Sequence, residues 1–299
     1  MKLTRLFTSL FALTLCLAVM SSASFAVKNH LNNPIGLAVD ASGNLYVANQ
    51  GANQILVYNS GYVQQTSKTI TSGINTPTGL AIDAYGNLWV ANYSGGASGS
   101  ITEYTARVMQ SANTITDGIS GPQNMAFDEL GDLWVNNNAS DLTMYAPTSV
   151  AAPPSSLVQT ISISNLWAVG EAAGTLYTGF SGGTCIGSAS AILRGGTSYC
   201  DLGGDPTGGS AFAADNKGGE YEAATFSGNT VVYNFVGGVT SATFVSLPFT
   251  PSFNECGMAV DNVKQRLYVS NRAGNEILVY STKSGATYGT LIHTIPTTG

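Results

Sequence analysis

The sequence predicts an all-β fold, a six-bladed β-propeller of four-stranded antiparallel blades. Three observations predict it. A segment of three short apolar runs, separated by turn residues, returns six times along the chain. The copies are spaced by about 43–46 residues, the length of one propeller blade. A fourth β-prone run follows each of the copies.

The first copy sets the pattern. Residues 33–58 read Asn-Pro-Ile-Gly-Leu-Ala-Val-Asp-Ala-Ser-Gly-Asn-Leu-Tyr-Val-Ala-Asn-Gln-Gly-Ala-Asn-Gln-Ile-Leu-Val-Tyr. Apolar runs at 35–39, 45–48 and 55–58 are bounded by Asp-Ala-Ser-Gly-Asn and Asn-Gln-Gly-Ala-Asn, which read as turns of a strand meander. The second, third and sixth copies, at 76–92, 121–137 and 256–271, repeat it closely. The fourth and fifth, at 166–180 and 205–221, are degenerate. Leu45, Leu88, Leu133, Leu176, Tyr221 and Leu267 serve as anchors for the second strand.

Outer strands are expected at 67–71, 112–116, 157–161 and 291–295. The last of these ends where a seventh copy would begin, so the ring is expected to close between whole blades, with 28–32 free to add to an edge. In the first strand, Gly36 and Ala38 alternate with larger residues. Period-two alternation puts bulk on one face and small residues on the other, which suits wedge-shaped blades packed around an axis. Ring closure also protects sheet edges.

The pattern Pro-x-Gly-Leu-Ala-Val-Asp-x-x-Gly-Asn-Leu-Tyr-Val-Ala-Asn-x-x-x-Asn-x-Ile-x-Val-Tyr resembles the NHL-type repeat. It is also similar to streptogramin lyase and gluconolactonase-like propellers. The resemblance runs from about Asn33 to the C-terminus and implies the fold. It leaves activity open, because such propellers include enzymes and pure binding scaffolds.

Residues 1–26 read as a secretory signal peptide. Lys2 and Arg5 form a basic start, 6–20 an apolar core, and Ser24-Phe25-Ala26 a small-x-small cleavage site. The core is short for a membrane span, so no membrane insertion is expected after cleavage. Residues 27–299 then form a single propeller domain, expected to be monomeric and secreted, extracellular or periplasmic. Ala-Ala-Pro-Pro-Ser-Ser at 151–156 reads as a rim loop. The formal net charge of −6, with no basic run, argues against nucleic acid as a partner. In an oxidising compartment Cys185 and Cys200 are the natural disulfide, and Cys256 a buried free thiol.

Residues that could carry chemistry are few. Asp40, Asp83, Asp128, Asp215 and Asp261 recur at the head of the first turn. A short acceptor there caps backbone N–H groups, so a structural role is expected. Asn49, Asn92, Asn137 (or Asn136) and Asn271 end the second strand and open loops that differ between copies. Function is expected where a repeat varies on a fixed scaffold. The candidate ligand surface is therefore Asn49, Gln50, Asn92, Tyr93, Asn137, Asn138, Trp167, Phe180, Phe226, Asn271 and Arg272, with the four asparagines alternatively capping their own turns. Aromatics beside amides suit a carbohydrate or peptide.

No catalytic residue is assigned. His30 precedes the first copy and His293 lies in the last outer strand, away from the axis. Resemblance to the lactonase-like propellers implies a divalent cation such as Ca²⁺ held by Glu, Asn and Asp at the axis. Glu255 is the candidate ligand, with Glu171 and Glu222 the other acids off the repeat. The leading expectation is a secreted scaffold that binds a carbohydrate, peptide or protein. The alternative is a metal-dependent lyase or lactonase.

Overall fold

The computed structural model describes residues 30–96, 98–106, 109–138, 141–147, 152–162, 166–172, 175–180, 183–188, 209–215, 220–226, 229–235, 242–246 and 257–297. Between 166 and 246, side chains are described only at Leu166, Val169, Leu176, Ala211, Ala213, Asp215 and Tyr221.

Each sequence copy folds into one antiparallel sheet, and there are six. The first holds β1 (Pro34–Val39), β2 (Leu45–Asn49) and β3 (Gln54–Tyr58). The second holds β4 (Pro77–Ile82), β5 (Leu88–Asn92), β6 (Ser100–Tyr104) and β7 (Ser111–Ile115). The third holds β8 (Pro122–Phe127), β9 (Leu133–Asn137), β10 (Asp141–Pro147) and β11 (Pro154–Ser162). The fourth holds β12 (Leu166–Ala172), β13 (Thr175–Phe180) and β14 (Gly183–Ser188). The fifth holds β15 (Gly209–Ala214), β16 (Glu220–Phe226), β17 (Asn229–Phe235) and β18 (Ala242–Ser246). The sixth holds β19 (Met258–Asp261), β20 (Arg266–Asn271), β21 (Glu276–Ser281) and β22 (Leu291–Ile295).

The first strands of the sheets pack on one another in sequence, β1 on β4, β4 on β8, β8 on β12, β12 on β15 and β15 on β19. β19 then packs back on β1, so the six described sheets are arranged around one axis, consistent with a six-bladed ring. Glycine makes this close approach feasible. A Cβ on Gly36 would collide with the Thr78 carbonyl oxygen of the next blade, and one on Gly257 with the Ile35 carbonyl oxygen. Between blades, the second and third strands supply the core. Trp89, Val90, Ile101, Trp134, Val135 and Tyr145 are wholly buried.

In the first three blades the first turn is fastened by its aspartate. Asp40 Oδ1 accepts from the Ser42 and Asn44 N–H groups at 2.9 and 2.8 Å, and Asp83 and Asp128 repeat this. The same carboxylates reach the aromatic residue six positions on. Asp83 Oδ2 accepts from Trp89 Nε1 at 3.1 Å and Asp128 Oδ2 from Trp134 Nε1 at 2.8 Å. Gly43, Gly86 and Gly131 close these turns with φ of 78°, 83° and 82°, which glycine adopts without strain.

Three sequence expectations change in detail. The first blade has no fourth strand. Asn59 caps a turn through Gly61 and Val63, a 3₁₀ turn follows at Thr66–Lys68, and only the isolated bridges Ile55 to Ile70 and Tyr58 to Gln64 remain. In the fifth blade Tyr221 is not the counterpart of Leu45. It pairs with Ala213 as Tyr46 pairs with Ala38, and its Oη donates to Asp215 at 3.2 Å as Tyr46 does to Asp40. Glu220 therefore holds the anchor position. Pro154 to Ser156 already belong to β11 rather than to a loop.

Candidate functional site

The start of each first strand lies opposite the end of the second strand. Pro34 pairs with Asn49, Pro77 with Asn92 and Pro122 with Asn137. The loops between second and third strands therefore gather, with the lead-ins to the first strands, on one end of the ring. This is the loop face. Asn137, rather than Asn136, takes the repeated position.

On this face the terminal asparagines are latches. Asn49 Oδ1 accepts from the Asn32 N–H at 2.6 Å, while its Nδ2 donates to the His30 carbonyl at 2.9 Å. Asn92 Oδ1 accepts from Asn75 N–H at 2.9 Å and Asn137 Oδ1 from Ser120 N–H at 3.1 Å. Their Nδ2 atoms donate to Thr102 and Thr143 hydroxyls at 3.2 and 2.8 Å. Asn271 instead accepts from Gly274 N–H at 3.0 Å and donates to Glu276 at 2.7 Å. All four are buried, so these amides brace the loops and satisfy lead-in backbone groups.

The next residue in each blade is more open. Gln50, Tyr93 and Arg272 are half-buried and Asn138 is exposed. The structure brings two of them together. The Tyr93 ring and the Asn138 Cβ both lie against Gly121, at 3.1 and 3.2 Å from where a Cβ there would sit. Asn138 also donates its N–H to the Gly121 carbonyl at 2.9 Å, with φ of 42°. Gln50 and Arg272 hold the equivalent places on the first and sixth blades. Trp167, Phe180 and Phe226 lie on strands, and their side chains fall outside the described residues. The same holds for Cys185, while Cys200, Cys256 and Glu255 fall outside the described residues altogether. The residues matched to the NHL-type pattern are thus the frame, and the open positions beside them are the candidate surface.

Sequence reading missed a group of amides on the third blade. Gln123, Asn124 and Asn136 stand where the second blade carries Thr78, Gly79 and Ala91. Gln123 Oε1 and Asn136 Oδ1 are buried without hydrogen-bond partners. The signal was in the copies: the third departs from small residues toward amides at three neighbouring register positions.

Comparison with known proteins follows from this geometry. The family model of the NHL repeat matches residues 31–58, the whole of the first three-stranded meander. Over those residues the chain is similar to the NHL repeat. Solved structures extend the likeness of this NHL-like propeller around the ring. The hydrazine synthase of Kuenenia stuttgartiensis is similar at 13% identity over 93% of this chain and 90% of that one, with a TM-score of 0.58. Virginiamycin B lyase from Staphylococcus aureus is similar at 15% identity over 90% of this chain and 87% of that one, with a TM-score of 0.59. A streptogramin B lyase is similar at 10% identity over 85% and 81%, with a TM-score of 0.56. At these identities the likeness is one of fold. No curated protein matches the sequence.

Proposed function

We propose that the chain is a secreted binding scaffold that uses the loop face around its central axis for a carbohydrate, peptide or protein partner. One observation carries this reading. Gln50, Tyr93, Asn138 and Arg272 follow directly after four buried asparagine latches, so the backbone is fixed where the side chain changes. A rigid frame limits the ordering cost of binding. Tyr93 and Asn138, side by side across Gly121, offer an aromatic face beside an amide, a pairing that suits a sugar ring or a peptide group. The test is a glycan and peptide array probed with purified protein, followed by titration of the best ligand. Tyr93→Ala and Asn138→Ala are each expected to weaken it at least tenfold with the melting temperature retained. A ligand bound equally by wild type and both variants would move the site off this face.

The fold-level likeness to two lyases favours a second reading, a metal-dependent lyase or lactonase. The described residues contain no group of three or more His, Cys, Asp or Glu that could hold a metal ion. Glu255, with a divalent cation such as Ca²⁺, remains the candidate centre of this reading. Metal content by mass spectrometry, paired with melts with and without chelator, separates the two. A site held at ~100-fold saturation adds about 2.7 kcal/mol to stability, which a chelator would remove. Turnover of a lactone lost in Glu255→Gln would establish the enzyme.

A further inference from the structure

The end of the ring opposite the loop face carries a groove between the second and third blades, with a volume of about 410 Å³. Asp83, Glu103, Asp128 and Glu129 line it, and no cationic side chain does. Tyr85, Phe127, Leu130 and Pro154 supply apolar walls, and Tyr85 and Leu130 are among the most exposed large apolar side chains described.

Glu103 is the residue that the fold does not explain. It lies on β6 opposite Trp89. The residues at the same register in the first, third, fourth and sixth blades are Val57, Met144, Ile186 and Val279, and Asn234 in the fifth. An acid thus occupies a position that this scaffold otherwise fills mostly with apolar side chains. Glu103 is only 5% exposed, and no described residue donates a hydrogen bond to its carboxylate. Its two cross-strand neighbours do not serve it. Trp89 Nε1 serves Asp83, and Asn113 Nδ2, across on β7, is buried without any partner. A buried ionised group without a partner is costly, and such local violations concentrate at functional sites.

We propose that this groove is a binding site for an organic cation, an alkylammonium or alkylguanidinium group whose charged head meets Glu103 and whose stem lies along the Phe127, Leu130 and Pro154 wall. The carboxylates of Asp83 and Asp128 already cap their turns, so their charge sets the local field while Glu103 keeps acceptor capacity for the ligand. Burial, then the charge of Asp83, raises the Glu103 pKa, and a cation would reverse that. The site is independent of the loop face, which lies at the other end of the blades.

The test is calorimetric titration of the full protein with n-butylguanidinium and with its neutral isostere n-butylurea. Saturable one-to-one binding of the cation, absent for the urea, is expected. Affinity should fall as pH is lowered through the raised Glu103 titration, with Asp83, Asp128 and Glu129 the other acids facing the groove. Glu103→Gln, checked for folding by its melt, should weaken the cation at least tenfold. A Gly-Arg-Gly peptide that binds more tightly than n-butylguanidinium identifies a peptide side chain as the source, and equal binding identifies a free cation. Binding of the urea as tight as that of the cation, unchanged affinity in folded Glu103→Gln, or no saturable binding at all overturns the proposal.

Discussion

Asn275 Oδ1 accepts a hydrogen bond from the Asn33 backbone N–H at 2.7 Å, across the seam between the last blade and the first. Asn53 Oδ1 makes the same contact with the Thr76 N–H at 2.6 Å, between the first blade and the second. The closing joint of the ring is therefore built like an internal joint. Further contacts reinforce it. Arg266 Nη1 donates to the Ser60 carbonyl at 2.8 Å, and its guanidinium sits 4.7 Å from the Tyr62 ring centre. Tyr62 in turn stacks on His293 at 4.1 Å.

Asn275→Ala and Asn53→Ala are expected to cost similar stability, about 0.5–1.5 kcal/mol each, the net worth of one hydrogen bond whose donor water can still reach. Urea denaturation checks this. A far larger loss for Asn275→Ala would mean that closure depends on one joint alone.

Gly36→Ala is expected to be among the most damaging small substitutions. The added methyl would overlap the Thr78 carbonyl, part of a neighbouring backbone that cannot step aside. A loss of about 3 kcal/mol or more follows from overpacking. Gly86→Ala, strained by its φ of 83° but with only the Ala106 Cβ near, should cost about 1 kcal/mol. Thermal melts of the two variants give the order.

Trp134 separates packing from hydrogen bonding. Trp134→Ala should cost about 3–5 kcal/mol through the cavity it leaves. Trp134→Phe keeps most of the ring but strands the Asp128 carboxylate, for a loss of about 1–3 kcal/mol. Similar losses in the two variants would show that the bond to Asp128 dominates.

Much of the fold was legible because the repeat states it. In the first three copies Asp, Gly and a closing Asn or Asp recur at the first turn for one physical reason, the capping of backbone N–H groups, and the structure shows those bonds. The candidate surface was less legible. Asn49 and Asn92 recur as visibly as Gln50 and Tyr93 vary, yet only geometry shows that the former face inward onto lead-in backbone. Glu103 was hidden because period-two alternation marks a strand without telling which alternate face is covered by the neighbouring blade. The missing outer strand of the first blade turns on Asn59 and a left-handed Tyr62, local turn chemistry that a β-prone run at 67–71 does not reveal.

Alkaline pH should unfold the protein through its buried tyrosines. Tyr104 Oη donates to the Ser72 carbonyl and Tyr145 Oη to the Asp117 carbonyl, both at 2.7 Å. Burial pushes each up to about 12. The raised value means that the folded state holds its proton more tightly than the unfolded one. The contribution to stability is complete below about pH 10 and is lost as pH rises from there through about 12. Ultraviolet titration of tyrosinate, followed alongside circular dichroism, should show ionisation and unfolding together.

Glu103 follows the same rule in a lower pH range. Its raised pKa means that stability is complete below the ordinary carboxylate range and lost as pH rises through the raised value. At neutral pH the charged, buried carboxylate is a cost, so Glu103→Gln should raise the melting temperature at pH 7 and change it little at pH 3. A lowered melt at pH 7 would show that Glu103 supports the fold after all.

His30 Nδ1 lies 2.6 Å from the Thr297 carbonyl, and Thr297 Oγ1 donates to the Asn275 carbonyl at 2.6 Å beside the seam. Residues 30 and 297 are thus neighbours in space, and the joint between them matches one inside the chain. The ring then has no privileged starting point. A circularly permuted chain, with a short linker joining 297 to 30 and new ends cut at the open turn around Gly285, should assemble the same six blades.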